Sequence, residues 1–235
     1  MQAKNPFRYF NSSPEVIRYA VWLYSQFPLS LRQVEDLLIE RGIDVTYETL
    51  RFWHDRFAPL FAMAIRRRRN KRGFGSKWRW HLDEVFVKIN GKQHYLWRAV
   101  DHEGEVLECY VTLKRNREAA LRFLKKAMKK YGVPYEIVTD KLASYGAALR
   151  EMDLSHLHTD TKGANNRAEN SHLPFRRREQ ARKRFRSMKS LQKVTASHGQ
   201  IYNHFNQDRH LSKRNNFKAN RAAALDEWRT LELAA

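Results

Sequence analysis

Between Trp80 and Leu113 three runs rich in aromatic and β-branched residues alternate with two short turns, and few folds accommodate such a segment. Trp80 to Ile89 reads as a strand that runs into Asn90-Gly91, the dipeptide best suited to the two positive φ angles of a type I′ hairpin turn. Tyr95 to Val100 is the return strand, Asp101-His102-Glu103-Gly104 a second turn, and Val106 to Leu113 a third strand, so the segment is an antiparallel meander. In the first strand Asp83 shares its parity with Val85, Val87 and Ile89, while Trp80, Leu82 and Phe86 take the other parity. That is the pattern of a strand covered on both faces. Burying an ionised carboxylate alone costs several kcal/mol, so Asp83 must be paired with a base or hold a metal.

The chain of 235 residues has 45 Lys and Arg against 25 Asp and Glu, a formal charge of +20 and a pI near 10.3. Such a field suits a polyanionic partner. A ribosomal or histone-like tail is disfavoured by 42% hydrophobic and 12% aromatic residues, which are enough for one or two packed domains. No stretch approaches 18 uncharged apolar residues and the first residues lack a signal peptide's apolar run, so a membrane partner is not expected and the expected location is the cytoplasm, on nucleoid DNA. Cys109 is the single cysteine, which excludes an intrachain disulfide and a Cys-based zinc site. No Gly-rich phosphate loop is present, and a nucleotide cofactor is not expected.

At the N-terminus, Ser12-Ser13-Pro14-Glu15 opens a helix that ends near Phe27-Pro28, and the capping box Ser30 to Gln33 opens a second that stops at Arg41-Gly42. Thr46 caps a third, whose apolar stripe of Leu50, Trp53 and Phe57 runs up to Pro59. Two short helices joined by a tight Gly-containing turn form a helix-turn-helix, which binds DNA or is a plain helical subdomain; the basic excess favours DNA. On the first reading Tyr47, Glu48, Arg51 and Arg56 are the exposed candidates for base or phosphate contact. The run Arg66, Arg67, Arg68, Arg69, Asn70, Lys71, Arg72 shades into Gly73 to Ser76 and reads as a phosphate-contacting linker. The expected division is a helix-turn-helix domain over 1–65, a linker over 66–76, a catalytic core over 77–190 and a C-terminal helical segment over 191–235.

After the meander the pattern predicts a helix from Asn116 to Gly132, a strand from Tyr135 to Asp140, a helix from about Leu142 to Met152, a brief strand at His156 to Thr159 and a helix starting near Arg167. The order β-β-β-α-β-α-β-α is the ribonuclease H-like layout, a mixed α/β sheet whose first and fourth strands lie side by side and parallel. Asp83 and Asp140 then meet, and Glu169 on the next helix completes a cluster able to hold two divalent ions about 4 Å apart. Hard oxygen ligands suit Mg²⁺ or Mn²⁺. Glu84 points to the opposite face, where a solvated or salt-bridged role outweighs metal ligation. His81 reads as packed near the site, His156 and His158 lack a third zinc ligand, and Pro174 is expected to kink or split the helix after Glu169.

The stretches His81-Leu82-Asp83-Glu84, Tyr95 to Asp101, Thr139-Asp140-Lys141, Asn165-Asn166-Arg167-Ala168-Glu169-Asn170 and Arg186 to Ser190 resemble the signatures of DDE transposases from small bacterial insertion sequences. The match is closest to the single-frame, cointegrate-forming group, and it covers nearly the whole chain. The resemblance implies that Asp83, Asp140 and Glu169 are the catalytic, metal-binding triad, and that the family's basic residue seven positions after the glutamate is Arg176. It implies Mg²⁺-dependent nicking and strand transfer on double-stranded DNA, the element's terminal inverted repeats and a target, by a homodimer or larger assembly that unites two ends. Lys141, Arg176 and Arg177 are the DNA-contacting bases expected around the acids, and the basic, aromatic tail beyond them suits a phosphate-tracking surface. Only 28 residues lie between Asp140 and Glu169, fewer than is usual in the family, which implies a trimmed loop or an absent strand. A structure-specific nuclease of the same fold and a non-catalytic helix-turn-helix regulator are the alternative functions.

Overall fold

The structure, a computed structural model, describes residues 5–71, 78–161, 165–206 and 213–233. The Gly/Ser-rich part of the expected linker therefore lies outside the described residues. Two compact units divide the chain: one comprises residues 1–73, 180–182 and 200–235, the other residues 74–179 and 183–199.

In the helical unit, α1 (Pro14–Gln26) begins where the Ser13 hydroxyl accepts from the Val16 N–H, with proline in its first turn. The capping box of α2 (Leu31–Ile39) is made in full by Ser30 and Gln33. Gly42 turns the chain at φ 72°, and the Glu35 carboxylate of α2 accepts the Tyr47 N–H at 2.9 Å at the start of α3 (Tyr47–Lys71). These contacts set the two helices as a helix-turn-helix.

The third helix does not stop at Pro59. It continues for three further turns, so Arg66 to Lys71, expected in a linker, are helical. The proline removes one interior hydrogen bond, at a cost of about 3 kcal/mol. Phe61, Ala62, Ala64 and Ile65 beyond it are all buried, and burial of large apolar side chains contributes about 1.5–3 kcal/mol each, enough to carry the helix through. Their partner is the C-terminal helix α8 (Arg214–Arg229), whose Trp228 stacks on Phe61 with ring centroids 4.1 Å apart. The Arg18 guanidinium donates to the Trp228 and Leu231 carbonyls at 3.1 and 2.8 Å and satisfies the end of that helix. The chain end expected as a separate segment from residue 191 is thus divided: residues 191–199 belong to the other unit, while Ile201, Phe205 and α8 are part of the helical core.

The second unit is built on a five-stranded sheet of order β3-β2-β1-β4-β5. β1 (Arg79–Ile89), β2 (Lys92–Val100) and β3 (Val106–Thr112) form the expected meander, with Asn90 and Gly91 at φ 50° and 78° in the first turn. β4 (Glu136–Val138) lies beside β1 and parallel to it, and β5 (His158–Thr159) extends the sheet in parallel. Together with the helices this is the ribonuclease H-like arrangement. On one face Trp80, Leu82, Trp97 and Leu107 pack with Phe123 and Leu124 of α4 (Arg117–Tyr131) and Leu149 of α5 (Ala143–Glu151). On the other, Val87, Ile89, Leu96 and Val111 pack with Phe175 of α6 (Asn166–Arg182) and Leu191 and Val194 of α7 (Met188–Phe205). Of the expected kink or split at Pro174, the split does not occur: α6 continues through the proline, with Ala168, His172 and Phe175 buried on both sides of it.

Candidate active site

The pairing of β1 with β4 matches His81 to Val138, so Asp83 and Asp140 each follow a paired position by two residues and come to the same level of the sheet. Asp83 faces α6, Glu84 faces the α4 and α5 side, and Asp140 follows the end of β4. One oxygen from each of these three carboxylates lies within 4.8 Å of the other two. Asp83 Oδ1 accepts the Glu84 N–H at 2.8 Å, and Asp140 Oδ1 accepts the Leu142 N–H at 3.1 Å, which orients both aspartates.

Of the two roles expected for Glu84, solvated or salt-bridged, the structure shows the second. Glu84 is 7% exposed, its Oε1 is ion-paired with Arg115 from the loop after β3, and the same guanidinium lies 3.7 Å from Asp140 Oδ2. Burial, joined by the charges of Asp140 and Asp83 and opposed by Arg115, raises its pKa to about 7. Its Oε2 and the fully buried Tyr145 hydroxyl make no hydrogen bond of ordinary length, although the two groups are close enough that Glu84, after burial itself, raises the phenol's pKa well above its usual value.

Two residues supporting Asp83 were not singled out in the sequence. His172 Nε2 lies 2.9 Å from Asp83 Oδ2 and donates to it, since the carboxylate can only accept, and burial lowers the imidazole's pKa. Arg98 is buried directly opposite Asp83 in the β1/β2 register and donates to the Ser171 carbonyl at 2.8 Å, which ties α6 to the sheet. Asn165 adds a second tie by donating to the Leu82 carbonyl at 2.8 Å. The only sequence signal for His172 is its place three residues after Glu169, and that becomes informative once α6 is known to turn this face inward.

Glu169 sits exposed in the first turn of α6 and is not part of the 4.8 Å carboxylate cluster. Arg176 is paired with Glu179 at 2.6 Å, while Lys141 and Arg177 are exposed. In the helical unit Arg56 is exposed and Tyr47 and Arg51 are half-buried, with the Arg32 guanidinium over the Tyr47 ring. Phe52, which the sequence reading passed over, stands 55% exposed between Glu48 and Arg56 on the same face of α3. Arg66, Arg67 and Arg69 lie on the last turns of α3, and Arg68 donates to the Glu227 and Thr230 carbonyls at 3.5 and 3.2 Å, capping α8. A second acidic group, Asp101, Glu103 and Glu105, is explained by its turn, because Asp101 Oδ1 accepts the N–H groups of the other two.

The donors around Asp83 are hard carboxylate oxygens, the set that Mg²⁺ and Mn²⁺ take. Oxygens bound to one octahedral Mg²⁺ at about 2.1 Å stand about 3.0 Å apart when adjacent and about 4.2 Å apart when opposite, so carboxylates within 4.8 Å of one another would draw closer on holding an ion. The unpartnered Glu84 Oε2 leaves further acceptor capacity beside it.

A ribonuclease H-like sheet whose neighbouring parallel strands bring two aspartates together is an arrangement suited to metal-dependent phosphodiester chemistry. Residues 77–208 match the family described as the DDE domain of IS240-type transposases. The chain is 32% identical over 173 residues to the transposase for insertion sequence-like element IS431mec of Staphylococcus aureus, which spans 72% of this chain and 75% of that one. It is 31% identical over the same shares to the transposase for insertion sequence element IS257 in transposon Tn4003 of the same species. Among solved structures it is similar to the HTLV-2 integrase catalytic core domain, with 15% identity, a TM-score of 0.41 and coverage of 60% of this chain and 95% of that one. The chain belongs to the DDE transposases of bacterial insertion sequences, enzymes that cut and transfer DNA strands with divalent metal ions.

Proposed function

We propose that this transposase recognises the terminal inverted repeats of its own element through α1 to α3, nicks to free 3′-hydroxyls and joins them to target DNA, working as a homodimer or larger assembly. The observation that carries the reading is the meeting of Asp83 and Asp140 across the β1/β4 pair in a chain of this family. Two divalent ions, Mg²⁺ or Mn²⁺, would supply Lewis-acid stabilisation and an activated oxygen nucleophile when bound. Asp83 and Asp140 would hold them, His172 keeps Asp83 in place, Arg98 ties α6 to the sheet through the Ser171 carbonyl, and Asn165 fixes the start of α6. Glu169 is the third ligand on its place in the family's motif. Glu84 competes for that role because its oxygen lies in the cluster. Loss of joining in Glu169→Gln with joining kept in Glu84→Gln supports Glu169; the reverse result assigns the ligand to Glu84.

For recognition, Tyr47, Arg51, Phe52 and Arg56 face the major groove, while Arg66, Arg67, Arg69, Lys141, Arg176 and Arg177 meet phosphates. The test is a strand-transfer assay with pre-nicked DNA from either side of this reading frame. Joined product supports the proposal. Cleavage without joining would indicate a nuclease, and binding without either reaction a regulator.

A further inference from the structure

Arg115 has no part in the motifs described above. Its guanidinium nevertheless contacts two of the three clustered carboxylates, the buried Glu84 directly and Asp140 at 3.7 Å. Once ionised, three carboxylates within 4.8 Å repel one another in the absence of a cation, the more so because Glu84 is shielded from water. Among the described residues the ion pairs of Glu84 and Asp140 are both with Arg115, whereas His172 and Arg98 lie on the Asp83 side of the sheet. Arg115 is about one-third exposed and stands on a loop, so it has room to move; Glu84 is fixed in a strand.

We propose that Arg115 is a positioning residue, the resident counter-charge that holds Glu84 and Asp140 together in the metal-free transposase and competes with the incoming divalent ion for Asp140. The proposal rests on the reading of Asp83 and Asp140 as metal ligands. An arginine within hydrogen-bonding range of one ligand and close to a second lowers the site's affinity for a cation by repulsion, while keeping the empty carboxylates from pushing the strand ends apart.

The experiment uses the full chain and Mg²⁺ alone as probe, with affinity read by titration calorimetry and the melting midpoint read in chelator and in Mg²⁺. Arg115→Gln should lower the metal-free midpoint and tighten Mg²⁺ binding by roughly tenfold, with the midpoint recovered in Mg²⁺; Arg115→Lys should stay near the parent. Unchanged or weaker Mg²⁺ binding in Arg115→Gln overturns the proposal, because a merely structural ion pair lowers both midpoints alike and leaves affinity no tighter. Should that variant fail to fold, Glu84→Gln is compared with Glu84→Gln/Arg115→Gln, which leaves no unpaired buried charge: removing Arg115 should again tighten binding, and equal affinities overturn the idea. Asp83→Asn and Asp140→Asn separate the two levels of the argument. If they bind Mg²⁺ as the parent does, the reading of the metal site fails and this proposal with it.

Discussion

Glu84 is the residue whose behaviour differs most from its sequence context, and its titration gives a direct check. A buried carboxyl with a pKa of about 7 keeps its proton in the folded state where the unfolded chain, near 4.5, has released it. The folded state therefore binds more protons between those values, and metal-free stability falls as pH rises from about 4.5 to about 7. Glu84→Gln should flatten that part of a chemical-denaturation profile recorded in chelator; an unchanged slope would show that Glu84 is not the group responsible. The arginine run makes a second residue-level contrast. Arg68 caps α8, whereas Arg67 is exposed. Arg68→Ala should cost about 1 kcal/mol of stability, and Arg67→Ala should leave stability alone and reduce the salt dependence of DNA binding. Equal stability of the two variants would contradict the capping role.

Among the elements, the most legible in the sequence were those specified locally. The Asn90-Gly91 turn and the parity of Trp80, Leu82, Val85 and Val87 define β1 and β2 without reference to the rest of the chain. The parallel neighbour β4 followed from topology, and with it the approach of Asp83 to Asp140. Less legible were features that depend on distant partners. α3 passes Pro59 because Trp228, far along the chain, supplies a surface for Phe61, and Glu84 is buried and paired because Arg115 reaches it from another loop. No local pattern near Ile65 or Glu84 encodes either contact. Trp228→Ala tests the first of these: removing a fully packed indole should destabilise the helical unit by about 3–5 kcal/mol and weaken end recognition with it. A variant that melts like the parent would show that α8 is not part of that core.

At the scale of the whole molecule, the formal charge of +20 suits a polyanion of any sequence, and on the function proposed above specificity comes from the helix-turn-helix and chemistry from the acidic cluster. The central claim is that Asp83 and Asp140 are the acids that cut and join DNA. The most direct measurement is strand transfer in Mg²⁺ on pre-nicked terminal DNA by the parent, Asp83→Asn and Asp140→Asn, with DNA binding recorded alongside. A neutral amide keeps the shape but removes the charge that offsets a divalent ion, so both variants should bind DNA as the parent does and form no joined product. Joining at the parental rate by either variant would contradict the account.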